Sequence, residues 1–197
     1  GSRDSATGEP SDQLGQAEPG LETGDRLTLE QQTEAPSRKN DLGDAIFESY
    51  RPSKVKVSGA QSHPASLVES SAMAAVDPPS PTYQPAIPNS VVEQGLLSEA
   101  QLEQVIYAGQ AHSQILPADG IHPERRRGHM IGDGTGVGKG REVAGIILDN
   151  WMQGRRKAVW ITEKQPLFDD AKRDWEGIGQ DPTVLFNLSK TKPDQPL

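Results

Sequence analysis

The chain has 197 residues, of which 33% are hydrophobic and 5% aromatic, and its formal net charge at pH 7 is −8. So small a hydrophobic share indicates that part of the chain does not contribute to a core. The lack of cysteine excludes disulfides and thiolate metal sites, and no apolar run approaches the ~20 residues that span a bilayer. The acidic balance gives no general attraction to nucleic acid, which would have to bind through local patches or through other parts of the protein.

Residues 1–43 are predicted to be a disordered tail or linker. Before Ile46 the sequence contains no Phe, Trp, Tyr, Val or Ile. Such a composition cannot bury enough apolar surface to offset the entropy lost on ordering. The polar residues 191–197 are predicted to be a disordered end. Since the N-terminus lacks the apolar segment of a signal peptide, we expect a cytoplasmic protein if the source is bacterial and a nuclear one if it is eukaryotic.

Residues 44–96 are predicted to be an extended, proline-rich N-terminal extension. Residues 54–57 alternate polar and apolar side chains as a short strand does, and five prolines between Pro78 and Pro88 favour a polyproline-like connector. Next, Ser98–Ala108 is predicted to be a helix. Ser98 can cap its N-terminus with Gln101 at the capping-box position, and Leu102 begins an apolar stripe.

A glycine-rich loop, residues 132–140, follows the short apolar segment His129–Ile131. Its glycines alternate with other residues, Lys139 stands near its end, and an apolar-periodic run then predicts a helix. Strand, glycine loop, lysine and helix follow in the order that a phosphate-binding P-loop needs. Backbone N–H groups and the helix N-terminus would bind the phosphates, and Lys139 would place a full charge at the β and γ positions. The alternative is an exposed glycine-rich turn with a surface lysine.

Two positions of this loop depart from the common pattern G-x-x-x-x-G-K-[ST]. Asp133 stands where the first glycine belongs, and Gly140 replaces the hydroxyl residue that usually binds Mg²⁺. Arg141 can reach phosphate or cap a neighbouring loop, and the sequence leaves both readings open. No metal ligand is assigned. The loop residues predicted to bind nucleotide are Gly134, Thr135, Gly136, Val137, Gly138, Lys139, Gly140 and Arg141.

Two more apolar segments follow the loop. Ala158–Thr162 and Thr183–Phe186 are predicted strands, and a helical repeat from Leu167 to Ile178 lies between them. The order strand–helix–strand–helix–strand predicts an α/β fold with a partial, RecA-like parallel P-loop sheet and flanking helices. Residues 97–190 are accordingly predicted to be the first part of a P-loop NTPase domain. The run Arg125–Arg127 is interpreted as a solvated loop, with contact to nucleic acid as the alternative.

The loop and segments around it resemble the strawberry notch family. The resemblance lies in Gly132–Arg141 with Ala144–Ile147, in Ala158–Trp160 and in Ala171–Asp174, and it extends over about Asp44–Leu188. It covers the N-terminal part of the helicase-like, superfamily-two region, including bacterial and phage relatives that carry a DNA methylase. The resemblance implies an ATP-dependent motor acting on DNA, with ATP and Mg²⁺ as cofactors.

In many such motors a glutamine recognises adenine, and Gln101 matches it; a purely capping role is the alternative. Such motors also need a strand ending in Asp-Glu to hold Mg²⁺ and orient water. After Lys139 the only acidic pair is Asp169–Asp170, on a predicted helix. We therefore interpret the chain as the beginning of a longer motor, inactive by itself, with Mg²⁺ held mainly by other residues. A regulatory or scaffold module that uses a P-loop fold to bind partners is the alternative.

Overall fold

In the computed structural model the described residues are 26–30 and 46–190. In chain order the elements are β1 (Phe47–Ser49), β2 (Val68–Ser70), α1 (Ser71–Ala74), α2 (Asn89–Glu93), α3 (Glu99–His112), β3 (Ile115–Leu116), β4 (Arg125–Arg126), α4 (Lys139–Met152), α5 (Pro166–Glu176) and 3₁₀ turns at Pro182–Val184 and Leu188–Lys190. Helices and small sheets therefore coexist, a mixed α and β content. Among the described residues no helix has the length and apolarity needed to cross a membrane.

The three long helices are confirmed. α3 starts at the predicted cap and continues four residues beyond the predicted end, to His112. Its capping box is complete: the Gln101 N–H donates to the Ser98 hydroxyl at 3.4 Å, and the Ser98 N–H donates to the Gln101 side-chain oxygen at 3.0 Å. α4 begins at Lys139, directly after the glycine loop, and α5 covers most of the predicted helical repeat.

The predicted parallel sheet is not formed by the described residues. Their strands pair only in two antiparallel two-stranded sheets, β1 with β2 and β3 with β4. Residues 129–131 and 158–162 have no regular secondary structure and no strand partners, and residues 182–184 form a 3₁₀ turn. A buried strand needs neighbours to bond its backbone and cover its faces. Here Met130, Val159 and Ile161 expose 85%, 77% and 87% of their surface. An apolar run alone was therefore not sufficient to make these segments strands.

The core is built where α3, α4 and α5 pack together, and it takes in the predicted extension as well. Val105 and Gly145 mark the close crossing of α3 and α4, since a Cβ at Gly145 would lie 2.8 Å from a Val105 methyl carbon. One cluster contains the buried side chains of Leu27, Val55, Val57, Ile87, Val91, Val92, Leu97, Leu102, Val105, Ile106, Ala144, Leu148, Trp175 and Ile178.

Five residues of the predicted tail, Arg26–Glu30, belong to this folded part. Leu27 is 2% exposed, and its N–H donates to the Ile87 carbonyl at 3.1 Å. The Glu30 N–H donates to the carbonyl of residue 56, and the Ser58 N–H donates to the carbonyl of residue 28. Isolated antiparallel bridges join Leu29 to Val57 and Arg26 to Pro88. The prediction of disorder through residue 43 is therefore wrong for these five residues, because two leucines can anchor a short polar segment to a core formed elsewhere. Residues 1–25, 31–45 and 191–197 lie outside the described part.

The proline-rich connector is fastened to α4 by one buried carboxylate, Asp149. The carboxylate accepts hydrogen bonds from the Tyr83 hydroxyl at 2.6 Å, the Ala86 N–H at 2.6 Å and the Gln153 side chain at 2.9 Å. These three donors satisfy a group that is only 2% exposed. The connector is thereby held in one path along the helices, and it leads directly into α2 and α3.

We expect Asp149→Ala to lower the free energy of unfolding by about 2–4 kcal/mol, because the buried Ala86 N–H and the Tyr83 hydroxyl both lose their acceptor. Urea unfolding followed by circular dichroism measures the change. Glu163→Ala, at an exposed position, is the control and should stay within about 0.5 kcal/mol of the wild type. Equal unfolding midpoints for Asp149→Ala and the control would show that the connector is not held by this carboxylate.

Gly140 is the point where α5 touches the first turn of α4. The Asp174 carboxylate of α5 lies against the glycine, so that a Cβ there would come within 2.7 Å of Asp174 Cγ and closer still to Oδ2. The carboxylate thus takes the space that a serine or threonine side chain fills in the common loop. It also lies where the partial positive charge of the α4 N-terminus favours an anion.

Gly140→Ala should destabilise the fold by about 1–3 kcal/mol through overpacking, offset in part by the ~1 kcal/mol that alanine gains in a helix. In an Asp174→Ala background the same change should be neutral or stabilising. A double-mutant cycle from urea unfolding gives the coupling, which we expect to be at least about 1 kcal/mol. Additive effects of the two substitutions would contradict the contact.

Candidate functional site

The part of the glycine loop that precedes α4, residues 132–138, forms an open arc, and the last two loop residues begin the helix. Gly138 is the residue before the helix and has φ 87°, and Gly136 has φ 92°. These left-handed values are strained for any residue with a Cβ. A Cβ at Gly132, Gly134 or Gly136 would meet nothing within 4 Å, so the outer side of the arc is free of packing. Thr135 lies on this exposed side. An anion can therefore approach the backbone from solvent.

Lys139 folds back over the arc. Its ammonium donates hydrogen bonds to the carbonyl oxygens of Asp133 at 2.9 Å and Gly134 at 2.8 Å. The charge thus lies at the mouth of the loop, where the N-terminus of α4 adds its own partial positive charge. Carbonyl oxygens are weaker partners for an ammonium than phosphate oxygens, because a charged acceptor roughly doubles the strength of a hydrogen bond. This arrangement suits exchange of the two carbonyls for a bound phosphate.

Gln101 joins the cap of α3 to the glycine loop. Its side-chain oxygen serves the capping box, and its side-chain N–H₂ donates to the Val137 carbonyl at 2.9 Å. It is 5% exposed, and a Cβ at Gly138 would come within 2.6 Å of its nitrogen. The predicted capping role is confirmed, and the contact with the loop is an addition to it. One N–H and one oxygen lone pair are left for a ligand, so adenine recognition stays a prediction.

Three further side chains hold the loop and were missed by the sequence analysis. The His63 Nδ1 lies 3.1 Å from the Ala65 backbone nitrogen and 3.0 Å from the Ala65 carbonyl oxygen, and its Nε2 lies 3.1 Å from the Val137 carbonyl oxygen. Gln104, one turn after Gln101 on α3, donates to the Asp133 carboxylate at 3.3 Å. His129 Nε2 lies 3.1 Å from the Gln104 side-chain oxygen, and burial is the main cause that lowers the His129 pKa.

A cavity of about 580 Å³ opens beside the loop. It lies between the segment 61–65, the cap of α3 and the inner side of the arc. Its volume falls in the usual range for small-molecule sites, about 300–1,000 Å³. The residues that line it are Gln61, Ser62, His63, Pro64, Ala65, Gly95, Ser98, Gln101, Gly136, Val137, Gly138 and Arg141. Four predicted loop residues and Gln101 thus face one space.

Arg141 lies at the rim of this cavity. Its guanidinium reaches the Leu96 carbonyl at 3.4 Å, and a Cβ at Gly177 would come within 3.1 Å of it. The side chain therefore caps a neighbouring loop, the second of the two readings, while its place at the rim keeps it within the site. Gly140 does not face the cavity lining; it faces Asp174.

Glu142, in the first turn of α4, is completely buried at 0% exposure. No donor in the described part of the chain reaches either of its carboxylate oxygens. The Asp133 carboxylate interacts with it, and two carboxyl groups in contact can bond only by sharing a proton. Burial first, and then the charge of Asp133, raise the pKa of Glu142 well above its usual range, and the Lys139 charge acts in the opposite direction on this pKa. An acidic residue in a first turn is common, so the sequence carries no signal for this pair.

The basic run at 125–127 is a strand and a hairpin end instead of the predicted loop. Arg125 pairs with Asp119 at 2.9 Å, and Arg127 donates to the Gln114 side chain at 2.7 Å. Two of the three guanidinium groups therefore bond to residues of the same β3–β4 hairpin. The described residues contain no group of three or more His, Asp or Glu side chains suited to hold a metal ion.

Comparison with known proteins places this site in a family. Residues 62–197 match the family described as P-loop containing NTP hydrolase pore-1. The chain is 39% identical over 163 residues to the strawberry notch homolog of Caenorhabditis elegans, which covers 79% of this chain and 8% of that protein. It is 40% identical to Drosophila melanogaster strawberry notch, over 82% of this chain and 9% of that protein.

A third relative is strawberry notch homolog 2 of Mus musculus, 42% identical over 77% of this chain and 11% of that protein. The chain therefore spans only about a tenth of the length of these relatives. No solved structure matches it. The family match includes the whole glycine loop, α4 and α5. The chain therefore belongs to the strawberry notch family, and its residues 62–197 belong to the P-loop NTP hydrolase domain of that family.

Proposed function

We propose that this chain forms the ATP-binding part of a DNA-dependent, helicase-like motor of the strawberry notch type. The observation that carries the proposal is the position of Lys139, whose ammonium spans an unpacked glycine arc at the N-terminus of α4. A glycine loop with open space beside it, a helix N-terminus and one full positive charge lie together here. This combination binds a polyphosphate with little rearrangement of the surrounding fold.

The cavity beside the loop is the proposed place for the nucleoside. Gln101 lies between this cavity and the Val137 carbonyl, so its remaining N–H and lone pair can pair with the edge of adenine. His63 holds the opposite side of the same carbonyl. We therefore propose that Gln101 links recognition of the base to the position of the phosphate loop. The DNA substrate is proposed from the family resemblance alone.

We further propose that the parallel, RecA-like sheet expected from the sequence forms in the whole protein. Support comes from the exposure of Val159 and Ile161, which lie in the segment between α4 and α5 that has no regular secondary structure. Apolar side chains at such exposure stabilise a fold only once other strands cover them. The segment that contains Met130 leads into the glycine loop, as the first strand of such a sheet does.

One observation favours a weak or non-catalytic role for these 197 residues taken by themselves. The only acidic pair after Lys139, Asp169–Asp170, lies on α5, and Asp170 pairs with Arg173 at 2.7 Å. This pair is not at the end of a strand, where a motor holds Mg²⁺ and orients water. We propose that such groups come from other parts of the whole protein. A regulatory module that binds nucleotide or a partner without turnover is the second candidate.

The chain should bind ATP more tightly than adenosine, with a dissociation constant of ~10⁻⁴ M or weaker, equivalent to roughly 5.5 kcal/mol. Lys139→Ala should weaken binding roughly 10- to 100-fold, because it removes the only full charge aimed at the phosphates. Gly138→Val should have a similar effect by straining the loop and displacing Gln101. NMR titration of the glycine amides with ATP and adenosine measures both.

Lys157→Ala is the matched control, since Lys157 is exposed and lies after α4, away from the loop. It should leave the titration unchanged. Chemical-shift changes that cluster outside Gly132–Arg141, or an unchanged titration of Lys139→Ala, would remove the loop as the nucleotide site.

Hydrolysis by this chain alone should stay at the background rate with and without DNA, because no strand-end carboxylates position water. A phosphate-release assay on the purified chain measures it. The informative contrary result is robust turnover that disappears in Lys139→Ala, which would mean that residues within the chain suffice for catalysis.

A further inference from the structure

The buried carboxyl of Glu142 has no donor to satisfy it, although it lies directly behind the glycine loop. A buried polar group without a partner costs more than an exposed one, and a buried charge costs more still. The other two buried carboxylates in the described part of the chain are satisfied: Asp149 has three donors, and Glu103 accepts from the Tyr50 hydroxyl. Glu142 is therefore the exception that needs an explanation.

Its surroundings supply a second carboxylate and no fixed cation. Asp133 faces Glu142 from the loop and is kept in place by Gln104 of α3. Lys139 is the nearby positive charge, yet its ammonium is directed to the carbonyls of Asp133 and Gly134. When Lys139 turns towards a bound phosphate, the two carboxylates face an additional negative charge. A divalent cation between them and the phosphate would offset much of the repulsion among the three groups.

The chemistry of the pair fits a hard divalent cation. Mg²⁺ prefers oxygen ligands and is commonly held by one or two carboxylates, with waters and substrate phosphates completing its shell. A third protein ligand is therefore not required. The loop ligand normally offered at position 140 is absent, because Gly140 has no side chain and the space beside it is filled by Asp174. The fold thus lacks the common ligand and holds an unsatisfied carboxylate two residues further along the same turn.

We propose that Asp133 and Glu142 form a divalent-cation site at the base of the glycine loop, and that this site takes over the role of the missing hydroxyl at position 140. The inference rests on the proposed nucleotide site for its purpose. Access requires the arc to move outwards. A Cβ at Gly132, Gly134 or Gly136 would meet nothing within 4 Å, so there is open space beside these residues for such a movement, and release of the Lys139 hydrogen bonds by a phosphate would start it.

The test compares ATP binding in Mg²⁺ with ATP binding in EDTA, by NMR titration of the whole chain. In the wild type Mg²⁺ should tighten binding roughly 10-fold or more. In Glu142→Gln this ratio should fall close to one, while binding in EDTA stays equal or improves because a repelling charge is lost; Asp133→Asn should lower the ratio as well. Glu176→Gln, at an exposed position of α5, is the control and should keep the wild-type ratio.

Paramagnetic broadening by Mn²⁺ locates the cation without reference to nucleotide binding. Added Mn²⁺ should broaden the amides of Asp133 and Glu142 first, and Glu142→Gln should remove this effect. A wild-type Mg²⁺ ratio in Glu142→Gln, or broadening centred elsewhere, would overturn the site and leave Glu142 and Asp133 as a pair that shares a proton. If ATP does not bind in either condition, the proposed function fails, and the Mn²⁺ result alone then decides for or against the cation site.

Discussion

The Val137 carbonyl is the point on which the geometry of the candidate site depends. It accepts a hydrogen bond from Gln101 and lies within hydrogen-bonding distance of His63, residues that come from the cap of α3 and from the segment after Val57. In the described residues no sheet supports the glycine loop from below, so these side chains hold its inner end. Gln104 holds its outer end through Asp133. The loop is therefore positioned by α3 at two points one helical turn apart.

Three glycines around the start of α4 are required for three different physical reasons. Gly138 has a left-handed backbone and accommodates the Gln101 amide; Gly140 leaves room for the Asp174 carboxylate; Gly145 lets α3 approach α4 closely. The first concerns the backbone, and the other two concern neighbouring side chains. Together these three glycines allow the glycine loop, the cap of α3 and α5 to lie around the N-terminus of α4. The departure of position 140 from the common pattern is thus a packing feature of this fold.

The charged groups beside the glycine loop are incompletely paired, as we expect if a bound ligand or cation supplies the missing partners. The Lys139 ammonium donates hydrogen bonds to two backbone carbonyl oxygens, and the carboxyl group of Glu142 is buried without a hydrogen-bond donor. By contrast, the structural carboxylate Asp149 is fully hydrogen-bonded. Buried polar groups in stable folds are nearly always paired. Glu142 next to the loop thus lacks the donors that Asp149 has, a difference that agrees with the proposed cation site.

The sequence by itself determined the long helices, the capping box of Ser98 and the glycine loop before Lys139, because helical periodicity, caps and glycine spacing are local properties. Strands could not be settled in this way, since a strand such as 158–162 exists only when neighbours bond its edges. Tertiary structure alone decided that Leu27 joins the core and that His63 reaches a carbonyl 74 residues away. It also decided that Glu142 meets Asp133, because contacts between distant residues follow from how helices pack and leave no periodic trace in the chain.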